Sequence, residues 1–130
     1  MVIYKHSLYT FELIEGATIL LFNWTKATEN MTEEDFQEAL HNYAGFGCEY
    51  QVSKMLIDVR NFRYEMTPQL GIWRDEHISP RYAKFGLQKF AYIVPPGVLE
   101  GMKDTVKKVA RSFEEQYFES AEDALNWLTN

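Results

Sequence analysis

The spacing of hydrophobic and polar positions along this chain changes several times, and each change marks the start of a new element. Leu8 to Ile14 alternates weakly, and Ala17-Thr18-Ile19-Leu20-Leu21-Phe22-Asn23-Trp24 is β-branched and aromatic. With Glu15-Gly16 as the turn between them, the two segments predict an antiparallel hairpin. Thr32 followed by Asp35 has the form of a capping box, and Phe36, Ala39, Leu40 and Tyr43 then recur at helical spacing. This predicts a helix of about three turns, ended by Gly45 and Gly47 acting as a C-cap.

Further along, Met55-Leu56-Ile57-Asp58-Val59 is a short apolar run closing on a carboxylate, which predicts a buried parallel strand with Asp58 at its solvent rim. Thr67-Pro68 offers a hydroxyl N-cap and a proline at the first helical position, with Leu70, Trp73 and His77 as one face of the next helix. Ser79-Pro80 breaks that helix and starts a further turn reaching Phe85. Lys89-Phe90-Ala91-Tyr92-Ile93-Val94 predicts a parallel neighbour of the Asp58 strand, stopped by Pro95-Pro96-Gly97. Val98, Leu99, Met102, Val106, Val109, Ala110 and Phe113 fall at intervals of three and four and give the clearest amphipathic helix. Gln116 to Glu119 has room for a short strand, and Ser120-Ala121-Glu122-Asp123 opens a last helix carrying Ala124, Leu125, Trp127 and Leu128. The order ββαβαβαβα predicts an α/β domain: a mixed, mostly parallel sheet of about four to five strands, with an N-terminal antiparallel hairpin and about four helices.

A length of 130 residues suits one domain spanning 1–130, large enough to bury a core without metals or disulfides. The single cysteine, Cys48, excludes an internal disulfide and a thiolate zinc cluster. No charged-then-apolar leader or long apolar run opens the sequence, so the expected compartment is the cytoplasm and no membrane partner is expected. The net charge of −6, with Lys and Arg scattered among acids, argues against nucleic acid as a partner.

Three stretches resemble the STAS superfamily, the fold of anti-sigma-factor antagonists, and within it the SpoIIAA-like branch. Met55-Leu56-Ile57-Asp58-Val59-Arg60 is similar to the family's strand ending in Asp. Trp73-Arg74-Asp75 with Lys89 to Val94 is similar to its central helix and following strand, and Tyr117-Phe118-Glu119-Ser120 with Ala124 to Leu128 to its closing strand and helix. Signalling members are phosphorylated on a serine of an Asp-Ser-Ser-Gly motif at the start of the helix after that strand. Counted from Asp58, the first serine position falls on Thr67, while Met66 replaces the Asp, and Pro68 and Gln69 replace the second Ser and the Gly. The resemblance implies a binding domain of that shape and puts the phospho-switch in doubt.

Several sets of residues merit weighing as sites. Asp58, Arg60, Asn61 and Arg63 follow a parallel strand, where open α/β sheets place ligands, and form a candidate binding rim. Their plainer use is to bond one another or the loop backbone. Thr67 is a candidate phospho-acceptor at a helix N-terminus, against its plainer use as an N-cap. Trp73, Tyr82, Phe85 and Tyr92 form an aromatic-rich region suited to an apolar pocket or partner surface, against core packing. No catalytic constellation is expected: His6, His41 and His77 are far apart, and no serine has a nucleophile-elbow context. No metal or cofactor is expected either, and the chain reads as a non-enzyme. Two functions follow. The first is a regulatory or protein-interaction module of STAS type, binding another protein or a second copy of itself; the second is a carrier or sensor of a small apolar ligand held between sheet and helices.

Overall fold

The computed structural model describes residues 1–14, 18–98 and 113–130. Among these, β1 (Val2–Lys5), β2 (Tyr9–Ile14), β3 (Ile19–Trp24), β4 (Lys54–Asp58), β5 (Lys89–Ile93) and β6 (Glu114–Phe118) lie side by side in chain order in one six-stranded sheet. β1, β2 and β3 pair antiparallel, and β3 through β6 are parallel. The mixed, mostly parallel sheet with its N-terminal hairpin is thus the one the hydrophobic pattern predicts, with one strand added at the edge. That strand, β1, has four residues with exposed side chains at both ends, too short an alternation to stand out in the sequence. Tyr4 secures it by stacking on Tyr9 and Phe11, with ring centroids 5.9 and 5.6 Å apart. The predicted turn at Glu15-Gly16 and the predicted helix between Val98 and Phe113 lie outside the described residues.

Helix α1 (Glu33–Glu49) begins with the predicted capping box: the Asp35 N–H donates to Thr32 Oγ1 at 3.1 Å, and the Thr32 N–H donates to Asp35 Oδ2 at 3.0 Å. Its end corrects the sequence reading. The helix runs for 17 residues, straight through Gly45 and Gly47, and stops only at Tyr50, after which Gln51 takes a left-handed φ of 52°. Gly47 is there for close approach and not for capping: a Cβ on it would stand 2.5 Å from Met55 Cε and 3.0 Å from Phe85 Cζ.

Helix α2 (Pro68–His77) has Thr67 as its N-cap and proline at its first position, and Ser79-Pro80 restarts the chain as α3 (Ser79–Lys84). The inward stripe of α2 also differs from the expected one. Leu70 and Ile78 are fully buried with Arg74 midway between them, whereas Trp73 is half-buried and His77 exposed. Helix α4 (Ala121–Thr129) is capped by Ser120, whose Oγ accepts from the Asp123 N–H at 3.1 Å.

Alternation along the parallel strands divides the interior in two. Met55 and Ile57 face a core built with Phe36, Tyr43, Leu70 and Tyr82, while Leu56, between them, joins Ile93, Ala124 and Leu128 on the other face. Helices α1, α2 and α3 therefore cover one side of the sheet and α4 the other. Tyr43, fully buried, ties α1 to the sheet: its hydroxyl donates to the Leu20 carbonyl at 2.6 Å and accepts from the Leu56 N–H at 3.1 Å. Among the described residues, no helix is long and apolar enough to cross a membrane.

Candidate ligand cavity

The polar rim predicted after β4 exists, and its charges are largely spent on one another. Arg60 grips Asp58 through Nη2–Oδ2 at 2.7 Å and Nε–Oδ1 at 3.0 Å, and the Arg60 N–H donates to the same Oδ1 at 3.0 Å. The fork-on-fork pairing holds the guanidinium pKa above its ordinary value. Arg63 donates from Nη1 to the Arg60 carbonyl at 3.0 Å, and its backbone N–H donates to Thr28 Oγ1 at 2.8 Å. Thr28 is itself fully buried and donates to the Thr25 carbonyl at 2.9 Å, so it fastens this loop to the turn before α1. Asn61 is exposed.

Interleaved with these polar residues are apolar ones that turn the other way. Val59, Phe62 and Met66 line a cavity of about 410 Å³ between the sheet and the helices. The sheet supplies Trp24 from β3, Ile57 from β4, Phe90 and Tyr92 from β5 and Tyr117 from β6. From the helices come Phe36 and Leu40 of α1, Arg74 of α2, and Ser79 and Tyr82 of α3. Val94 and Pro95 continue the wall past the end of β5, and Val98 and Phe113 also line it. Much of the wall is aromatic and interlocked. Trp24 stacks parallel to Phe36 at 6.0 Å and meets Phe62 edge-on at 4.9 Å, while Tyr92 lies between Phe90 and Tyr117, each 4.9 Å away. Walls locked in this way hold a cavity open, because no ring can fill it without leaving its partners.

Two of the four aromatics singled out in the sequence, Tyr82 and Tyr92, line the cavity. The other two do not. Trp73 packs beside His41 and His77 at 5.4 and 5.9 Å, and Phe85 meets Tyr82 edge-on at 6.2 Å and stands over Gly47. Tyr92 is half-buried and borders the cavity; burial, and then Glu115, push its hydroxyl pKa up, while Arg74 pulls it down. Thr67 is exposed, and its Oγ1 accepts from the Leu70 N–H at 3.2 Å.

Arg74 also borders the cavity, though the sequence does not single it out. An arginine in a helix ordinarily reads as part of a solvated face, and its spacing from Leu70 is the available signal, since residues four apart share a helix face. Its Nε is buried without a hydrogen bond, and the ion pair it makes is with its neighbour Asp75 at 3.5 Å. Burial works against this guanidinium, but Tyr92, Asp75, Tyr117 and Glu115 around it outweigh the loss and keep its pKa above the ordinary arginine value.

Among the described residues, no group of three or more His, Cys, Asp or Glu side chains gathers to hold a metal ion. Among the described residues, the lining offers apolar contact, a few hydroxyls and one positive charge. Residues 23–129 match the model of the SpoIIAA-like family. No curated protein matches the chain.

Proposed function

The chain belongs to the SpoIIAA-like family, and on that footing we propose that it is a binding module whose cavity between sheet and helices takes a small apolar molecule, so that the domain serves as a carrier or sensor and not as a catalyst. The cavity carries this reading. Protein interiors are packed to crystal density, and an apolar void of about 150 Å³ already takes up benzene. A space of about 410 Å³ lies in the range of small-molecule sites and is walled by seven aromatic side chains besides Phe113. Its position also fits, because Val59, Val94 and Pro95 place one end of it beyond the carboxyl ends of β4 and β5, where open α/β sheets bind their ligands. Native mass spectrometry of protein purified without refolding tests the reading. A retained small molecule that is displaced on adding dodecanol supports it, and a clean apo mass together with no dodecanol binding by calorimetry overturns it.

A second reading follows from family membership: a regulatory, protein-binding domain of anti-sigma-factor-antagonist type, acting on another protein or on a second copy of itself. The exposed apolar side chains Met66 and Ile72, 37% and 57% accessible on either side of the α2 N-terminus, favour it. Thr67, exposed between them in sequence, is then the acceptor for phosphate. Since aspartate also caps helices well, Thr67→Asp mimics the charge without melting α2. A co-purifying partner that is lost with both Thr67→Asp and Ile72→Glu supports this reading; an unchanged partner set counts against it.

A further inference from the structure

Arg74 is the one charged side chain among the described residues that line the cavity. A guanidinium carries five donors, and apolar walls raise the cost of leaving them unpaired. Here the Nε is buried with no hydrogen bond, and Asp75 lies 3.5 Å away, beyond the range of about 2.7–2.9 Å expected of a charge-assisted bond. Glu115 accepts from the Tyr117 hydroxyl at 3.2 Å and adds a longer-range attraction to Arg74, but among the described ion pairs no carboxylate grips Arg74 with two oxygens. The arrangement contrasts with Arg60, whose carboxylate partner satisfies it bidentately.

Resting on the reading of the cavity as a ligand site, we infer that its occupant is an anionic amphiphile: a single apolar chain lying along Trp24, Phe36 and Phe62, with a carboxylate head received by Arg74. Charge complementarity selects the head. An aliphatic ligand leaves the Arg74 Nε without a hydrogen bond and a cationic one is repelled, whereas a carboxylate matches the planar donor fork. Hydroxyl-bearing residues border the cavity both from the helices, at Ser79 and Tyr82, and from the sheet, at Tyr92 and Tyr117, while Val59, Phe62 and Met66 of the loop after β4 bring only apolar side chains.

The experiment is calorimetric titration of the full chain, first freed of lipid on a hydrophobic resin, with dodecanoate and dodecyltrimethylammonium below their micelle concentrations and dodecanol below its solubility limit. Dodecanoate is expected to bind at least about tenfold more tightly than dodecanol, as a hydrogen-bonded charge pair provides, and the ammonium compound more weakly than either. Arg74→Gln should abolish the preference while dodecanol still binds, which also shows that the variant is folded. Arg74→Lys should restore the preference for dodecanoate in part, and it keeps the test decisive if the glutamine variant does not fold. Equal binding of dodecanoate and dodecanol, or an undiminished preference in Arg74→Gln, overturns the anionic head and leaves the apolar cavity standing. Failure of all three probes to bind overturns both readings.

Discussion

Replacing Thr67 by alanine removes the acceptor of the Leu70 N–H, a bond of 3.2 Å at an exposed helix start. Losing an N-cap of this kind costs about 1 kcal/mol, so Thr67→Ala should lower the urea midpoint with an unchanged slope. Tyr43 is a different case, because its hydroxyl is fully buried and serves two strands, accepting from Leu56 and donating to Leu20. Tyr43→Phe leaves the Leu56 N–H without that acceptor and should cost about 1–3 kcal/mol, clearly more than the cap. A Tyr43→Phe variant as stable as the parent shows that these groups pair otherwise. His41 is set by its surroundings in the opposite sense from a salt-bridged histidine. Partial burial first, then Arg81 and His77, lower its pKa below the ordinary 6.5. A depressed folded pKa contributes stability that is present above pH 6.5 and is lost as the pH falls through the folded value. Arg81 reaches His41 Nδ1 at 3.2 Å, so Arg81→Gln should raise the His41 pKa toward 6.5 in an NMR titration; a fixed value means burial and His77 set it without Arg81. At this scale, the sequence identified residue types well and pairings poorly. It put Asp58, Arg60 and Thr67 at the right places in the chain, but whether a charge is spent on a neighbour depends on rotamers, which spacing does not report. The same limit explains why Arg74 passed unnoticed while Trp73, beside it, stood out.

Whole elements were legible wherever a local chemical signal agreed with the period. Thr32 with Asp35, Thr67-Pro68, Ser79-Pro80 and Ser120 each combine a cap or a proline with the change of pattern, and each marks a real helix start. Glycine was the ambiguous signal, because it serves both to end helices and to let neighbours approach closely. Gly45 and Gly47 lie in the same turn of α1 and separate the two uses. A Cβ at Gly45 would meet Arg81 Nη2 at an ordinary 3.9 Å, so Gly45→Ala should stabilise by the helix-propensity difference, about 0.5–1 kcal/mol. At Gly47 the added methyl is driven into the buried Met55 and into Phe85, where overpacking costs about 1–3 kcal/mol and outweighs that gain. Thermal melts of the two single variants should therefore move in opposite directions. If Gly47→Ala also raises the melting temperature, α1 is not held against β4 and α3 as tightly as the contact distances require.

For the molecule as a whole, strand order and helix order followed from patterns local to each segment, and the parallel pairing of β4 with β5 followed from their continuous apolar runs. The cavity had no such signature. It is the gap left where α1, α2 and the loop after β4 stand off the sheet, and a residue lining a gap has the same periodicity as one touching its neighbour. The nearest available signal was the run of Val59, Phe62, Tyr64 and Met66, apolar positions repeated through a segment with no regular structure. If the gap is a ligand site, the stability of the whole domain depends on its occupancy. A ligand at about a hundred times its dissociation constant adds about 2.7 kcal/mol to folding. Protein stripped of lipid should therefore melt several degrees below protein as purified and recover on adding the amphiphile. Val59→Phe separates this from general surface effects of the amphiphile, because Val59 is half-buried and borders the gap. With space to enter, the phenyl ring buries apolar surface without strain, so the stripped variant should melt higher than the stripped parent and gain less from added amphiphile. With no such space it should be destabilised by overpacking and still respond to amphiphile as the parent does.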